Sequence, residues 1–331
     1  MRNAVVCVCI LLSQIGFGRS ASQTGVGARE DASAKHQPPS IPRPLPFAAG
    51  EILTYDISFS KFILSGTVGQ LKMSVVSEKA GPTSAPAGGP SVDHLGSAAP
   101  DPAPAQKREP EQAGLSTVQK PDPPGNLVPQ QASNPDRIKF VAESVSKGFV
   151  TWLFDLKVDD QYQSVVDPQD LGLIRSTKFV DEGNKHRQAD TLVDRAAGSL
   201  TYSEKDLNNE KAVPAVKKVA SPGWIQDLLS AIYFLRTQDL QPGTTLTVPV
   251  TDKGELHNID VVVGKREQID VEAGKFDAIQ VEVMVFDGKY IKRAGQLLIW
   301  FTDDARRLPV RARVKSSGAT ATIKLTKIEH T

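Results

Sequence analysis

Apolar and polar residues alternate with period two along much of the chain. Glu51-Ile-Leu-Thr-Tyr-Asp-Ile-Ser-Phe59 shows it most clearly. The same pattern runs through Gly148–Phe154, Leu173–Val180, Ile259–Val263, Phe276–Val285, Gln296–Thr302, Val310–Val314 and Ala319–Leu325. Two more strand-like runs cover Ile63–Val76 and Ile138–Ser146. Alternation places one side of a strand in a core and the other in water, which suits an antiparallel sheet. Turn signals separate the runs: Asp167-Pro168, Glu182-Gly-Asn184, Pro242-Gly243, Lys253-Gly254, Ala273-Gly274 and Asp287-Gly288. Many short strands at this spacing predict a mainly β fold. The sheet is a strongly curved antiparallel one, or a partly open barrel or sandwich.

One segment breaks the alternation. Ser221-Pro-Gly-Trp-Ile-Gln-Asp-Leu-Leu-Ser-Ala-Ile-Tyr-Phe-Leu-Arg236 begins with a capping serine and a proline at the first helical position. A helix over about 222–237 is predicted, with Asp227 early and Arg236 last, in keeping with the helix dipole. Leu228 to Leu235 is apolar nearly all round, so the helix must be covered on most sides. It belongs on or in the concavity of the sheet.

The chain ends and its middle read differently. Arg2, the apolar run Ala4–Leu12 and small residues from Gly16 to Ala21 have the layout of a secretory signal peptide, taken as residues 1–20. That run is too short for a membrane span, and no later one is long or apolar enough. Residues 21–46 lack aromatics and read as a disordered linker. Residues 79–137 hold 12 of the 23 prolines and no aromatic. Such a stretch buries too little apolar surface to offset its ordering entropy. It is therefore read as a disordered insertion into a single β domain at 47–330, tolerable because closing a long loop costs only logarithmically more.

Composition narrows the chemistry. Both cysteines, Cys7 and Cys9, lie in the signal segment, so the exported chain has no disulfide, thiolate metal site or thiol nucleophile. Loss of Arg2 and Arg19 leaves 37 basic against 38 acidic residues, a net charge of −1. With no basic run longer than a pair, nucleic-acid binding is disfavoured. No phosphate-cradling glycine loop and no Gly-x-Ser-x-Gly elbow occurs. The five histidines stand apart, with no second ligand at metal spacing. No cofactor is expected.

Paired carboxylates remain, as Asp159-Asp160 and Asp303-Asp304. Adjacent residues of a strand face opposite ways, and Asx residues in turns have a structural role of their own. Asp227 and Arg236 lie two and a half helical turns apart, so they cannot pair with each other. Each should reach a partner on a strand and fix the docking of the helix. Trp152, Trp224, Leu228, Tyr233, Phe234 and Trp300 are the candidates to line an apolar cavity, or else to form plain core.

Several of these blocks together resemble one family. Phe47-Ala-Ala-Gly-Glu-Ile-Leu-Thr-Tyr-Asp-Ile-Ser-Phe59, Leu64-Ser-Gly-Thr-Val68, Asp227-Leu-Leu-Ser-Ala-Ile-Tyr-Phe-Leu-Arg236, Ala273-Gly-Lys-Phe276 and Ile299-Trp-Phe-Thr-Asp-Asp-Ala-Arg-Arg-Leu-Pro-Val-Arg311 are similar, in order, to DUF3108, a bacterial domain of unknown function. The resemblance implies an exported β domain and brings no established activity or catalytic residues. Taken together, the sequence suggests a non-enzymatic protein of the periplasm or cell exterior that holds a lipid, acyl chain or other hydrophobic small molecule. The alternatives are a structural or interaction module with an envelope protein as partner, and a hydrolase using Asp303, Asp304 or His186.

Overall fold

The computed structural model describes residues 39–61, 64–79, 136–148, 157–221, 223–286, 294–316 and 318–331. The stretch read as a signal peptide, most of that read as a linker, nearly all of that read as an insertion and the Gly148–Phe154 run beyond its first residue lie outside them. The strands are β1 (Glu51–Lys61), β2 (Leu64–Glu78), β3 (Arg137–Ser146), β4 (Asp159–Val166), β5 (Leu173–Glu182), β6 (Lys185–Asp194), β7 (Ser199–Asp206) and β8 (Ala215–Ala220). After the helix α1 (Leu228–Arg236) come β9 (Thr245–Asp252), β10 (Glu255–Val271), β11 (Gly274–Val283), β12 (Gly295–Thr302), β13 (Pro309–Ser316) and β14 (Ala319–His330).

All fourteen strands form one sheet in the order β8-β7-β6-β5-β4-β3-β2-β1-β14-β13-β12-β11-β10-β9. Two antiparallel meanders, β1–β8 and β9–β14, meet where β1 pairs with β14, Ile57 opposite Ile323. The two edge strands, β8 and β9, are therefore neighbours in sequence. The ladder does not close into a barrel, but it cannot be flat. One nine-residue helix packs on β3, β4 and β9, although nine strand spacings, about 43 Å, separate β4 from β9 along a flat sheet.

Side-chain contacts bring the two ends together. Lys178 of β5 reaches Asp252 of β9 at 2.6 Å, and Lys217 of β8 reaches Glu255 of β10 at 3.5 Å. The β9–β10 hairpin turns through Lys253 and Gly254, both at positive φ (49° and 68°), as a two-residue hairpin turn demands. A Cβ on Gly254 would lie 2.9 Å from Cβ of Tyr202 on β7, so the hairpin tip rests directly on the far meander.

The seam is finished by chain entering the helix. The Gln226 N–H donates to Pro249 O and the Gln226 carbonyl accepts from Thr251 N–H, a parallel bridge on the edge of β9. The Ile225 carbonyl accepts from Leu173 N–H, and Gln226 Nε2 donates to Leu171 O. Ile225 and Gln226 are held by these bonds, so the helix starts at Leu228, later than the predicted start. Its N-cap is Asp227: Oδ1 accepts from Ser230 N–H at 2.8 Å, and Ser230 Oγ accepts from Asp227 N–H at 2.9 Å. This is a capping box with serine in place of the usual Glu or Gln.

Alternation decides which face is core. In β1, Leu53, Tyr55, Ile57 and Phe59 are buried while their neighbours stay partly wet. Residues 39–46, inside the stretch read as linker, also contribute. Ile41 and Leu45 pack on the core, and the Arg43 guanidinium donates to the carbonyl of Pro168.

The seam carries a testable electrostatic cost. Burial disfavours ionised Asp252, but the Lys178 ammonium, with Lys253 and His257 nearby, more than offsets this and lowers its pKa. A carboxylate with a lowered folded pKa adds stability above its unfolded pKa and loses it as pH falls. Lys178→Met should therefore cost about 2–4 kcal/mol at neutral pH, and less near pH 3, as measured by urea unfolding.

Candidate functional site

Between α1 and the inner face of β9–β14 lies a cavity of about 150 Å³ lined by sixteen side chains, all aliphatic. Leu228, Ala231, Ile232 and Leu235 come from α1, at the i, i+3, i+4, i+7 spacing of one helical face. Val250, Val261 and Ile299 are typical of the opposing strand wall, and Leu71 of β2 joins them. The other faces of α1 are committed elsewhere.

Tyr233 stacks on Phe140 of β3, with ring centroids 3.9 Å apart and planes 4° apart, while Phe47 meets both edge-on. Burial pushes the Tyr233 phenol well above its ordinary pKa. Phe234 meets Trp224 edge-on at 5.0 Å, and the Trp224 indole N–H donates to Asp170 O. Gly172 makes room for that ring, since a Cβ there would lie 2.8 Å from Trp224 Cδ1.

Among the described residues Arg236 is the largest fully buried side chain. Its Nη1 and Nη2 donate to the two oxygens of Glu51 at 2.5 and 2.8 Å, and Nη2 also donates to the carbonyls of Pro46 and Arg306. Fork-to-fork geometry supplies direction as well as charge. The guanidinium also lies 5.2 Å from the Phe47 ring centroid. One side chain thus ties the end of α1 to the start of β1 and to the β12–β13 turn. Asp227, at the other end, accepts from Ser164 Oγ of β4 at 2.6 Å. Its partner is a hydroxyl on a strand rather than a cation.

Of the residues picked out in the sequence as ligand contacts, Leu228 lines the cavity. Trp224 and Tyr233 are packed on the other sides of α1, and Trp152 lies outside the described residues. Trp300 has its ring near the guanidinium groups of Arg311 and Arg313, 5.6 and 5.3 Å from the centroid, and its indole N–H donates to Glu267 at 2.7 Å. The aromatics take positions where a ring can stack and a ring N–H finds an acceptor. The space left beside them is bounded by smaller aliphatic groups.

The carboxylate pairs also separate. Asp303 is held ionised by hydrogen bonds from Arg266 and Arg307, which lower its pKa against slight desolvation. Burial opposes ionisation of Asp304, but bonds from Thr302 and Arg306 prevail, and its pKa is lowered as well. Both carboxylates brace the β12–β13 turn. His186 pairs with Asp181 across the β5–β6 hairpin at 3.0 Å. Among the described residues no three His, Cys, Asp or Glu cluster as metal ligands.

Asp160 has a different partner from the one its sequence suggests. It is buried and faces Glu182 of β5 rather than Asp159, while its Oδ1 accepts from Asp181 N–H at 2.9 Å. Desolvation and the adjoining Glu182 carboxylate raise its pKa to about 7. Sequence reading missed this pair because the two residues meet only through the register of β4 on β5.

Two outcomes follow from these contacts. Arg236→Met alone should cost about 3–5 kcal/mol by leaving Glu51 buried and unpaired, and Arg236→Met with Glu51→Leu should restore much of it. A double-mutant cycle by denaturant unfolding measures both. Because the folded pKa of Asp160 is raised, its contribution is intact below pH 4 and is lost as pH rises through about 7. Asp160→Asn should match the parent at pH 4 and exceed it at pH 8 by on the order of a few kcal/mol.

Known proteins add a family to this picture. No curated protein matches the sequence. A β-barrel-like protein of Brucella abortus, formed by the domain of unknown function DUF1849, is 9% identical over 85% of this chain and 97% of its own, with a TM-score of 0.47. An exported-protein candidate of Bacteroides fragilis with a YmcC-like fold is 9% identical over 86% of this chain and 97% of its own, with a TM-score of 0.26. At these values neither likeness bears on function. The family described as "Protein of unknown function (DUF3108)" matches residues 126–326. That stretch leaves out β1 and β2, although β1 carries the opening motif. It is more than half of the chain, which therefore belongs to the DUF3108 family.

Proposed function

We propose that this is a non-enzymatic, exported protein of the cell envelope that holds or shields an apolar ligand between α1 and the curved sheet. The observation that carries the reading is the aliphatic cavity of about 150 Å³. A dry cavity of that size in a protein core is large enough to bind a benzene-sized molecule. Export rests on the signal-like residues 1–20, and no described helix is long and apolar enough to cross a membrane. Asp303 and Asp304 are bound to arginines in the β12–β13 turn and His186 pairs with Asp181 across a hairpin, which favours binding over turnover at those groups.

A second reading, an interaction module, draws on β8, the edge strand among the described residues, where Val216 is 65% exposed. Lys217 and Lys218 beside it are the kind of residues that oppose strand addition at an edge, so the cavity is the better-supported site.

Native mass spectrometry of gently purified protein should show an added mass that organic extraction removes and that reappears as free lipid or fatty acid. Repeated recovery of adduct-free protein whose melting temperature is unmoved by added decanoate would defeat the reading.

A further inference from the structure

We infer that the cavity receives the hydrocarbon end of an amphiphile tail-first, takes about six of its carbons, and leaves the head group outside without selecting among heads. The inference rests on the ligand-holding reading above and specifies what is held.

The lining supplies nothing for a head group to bond. All sixteen side chains are aliphatic, and the charged groups at the two ends of the helix are engaged on its other faces. Asp227 is bound to Ser164 and Ser230, and Arg236 to Glu51. A charged or hydroxylated head placed inside would lose its hydration with no bond in return, at a cost that excludes it. The aromatic rings that could stack on a flat or cationic head are also turned away: Tyr233 toward Phe47 and Phe140, Phe234 toward Trp224.

Access is on the same face. Leu228, Ala231, Ile232, Val283, Leu297 and Ala312 line the cavity and yet are only partly buried. An alkyl end can therefore enter while its head stays wet. The volume, about 150 Å³, matches a core cavity that holds one benzene, which sets the enclosed length at about six carbons. The strand wall is mostly valine and isoleucine, whose side chains are stiff at χ1, so the walls give little and the length limit is sharp.

Binding of n-alkanoates, n-alkylammonium ions and n-alkyl glucosides from butyl to decyl, each below its micelle concentration, tests this by isothermal titration calorimetry on the purified protein. Affinity should rise about fourfold per methylene and flatten after about six enclosed carbons. The three heads should agree within about threefold at each length. Ala231→Leu and Ala312→Leu, each placing three more carbons in the cavity, should move the plateau to shorter chains.

A head preference above about tenfold at every length, or a rise with no plateau through decyl, overturns this inference while leaving an apolar ligand site in place. A plateau that neither variant moves, in proteins that melt at the parent temperature, overturns it too, by placing the chain elsewhere. If no chain of any head binds, the ligand-holding reading itself fails.

Discussion

Fourteen antiparallel strands among the described residues carry a long apolar wall that has to be covered. The one helix among the described residues, nine residues long, is far too small to cover it flat. The sheet solves this by curling until its inner face packs on itself and on α1, and every other feature depends on what holds the curl. Two fastenings do so from opposite ends of the same helix. At its start, Gln226 hydrogen-bonds to the β9 edge while its neighbour Ile225 holds β5. At its end, Arg236 locks onto Glu51 in the middle of the sheet. The helix is thus a strut between the seam and the centre of the ladder.

That arrangement explains why charge is buried in this core. An ion pair taken fully out of water repays its desolvation poorly, and an apolar pair of similar shape is often as stable. What the Arg236–Glu51 pair adds is direction, because a planar fork bonding two carboxylate oxygens and two carbonyls admits one position of the helix end. Leucines alone would let α1 slide along an aliphatic wall. Lys178–Asp252 acts similarly at the seam, where β5 and β9 have no ladder of their own to fix their register.

Much of this was legible in the sequence, and what was not has physical causes. β1 alternates because one face is core and the other partly wet, whereas β12 is buried on both faces from Leu298 to Thr302, so its sequence is apolar at consecutive positions. β6, β7 and β8 are mostly half-buried or exposed on both faces, so no period-two signal marks them, and Pro249 obscures β9. The helix was recognisable from its apolar run, but its start was not. Ser221-Pro222 has the chemistry of a cap, whereas the following residues are claimed by long-range bonds to β9 that no local rule reveals. Leu228 was legible as a cavity residue because it lies on the helix. The strand wall was not: alternation says which residues face inward, and only the curvature decides which of those remain uncovered.

The uncovered part has an energetic consequence. Side chains that line open space lack the contacts a filled core would give them, and here Leu228, Ile232 and Leu297 line the cavity while only partly buried. The neighbouring positions show that filling was chemically open, since Ala231 and Ala312 could be larger without introducing a polar group. The core is tightly stacked around Tyr233 and loose one helical face away, which is the room the proposed ligand would take. Its occupancy would stabilise the curl itself, because the ligand would touch both the strut and the wall that the strut holds in place.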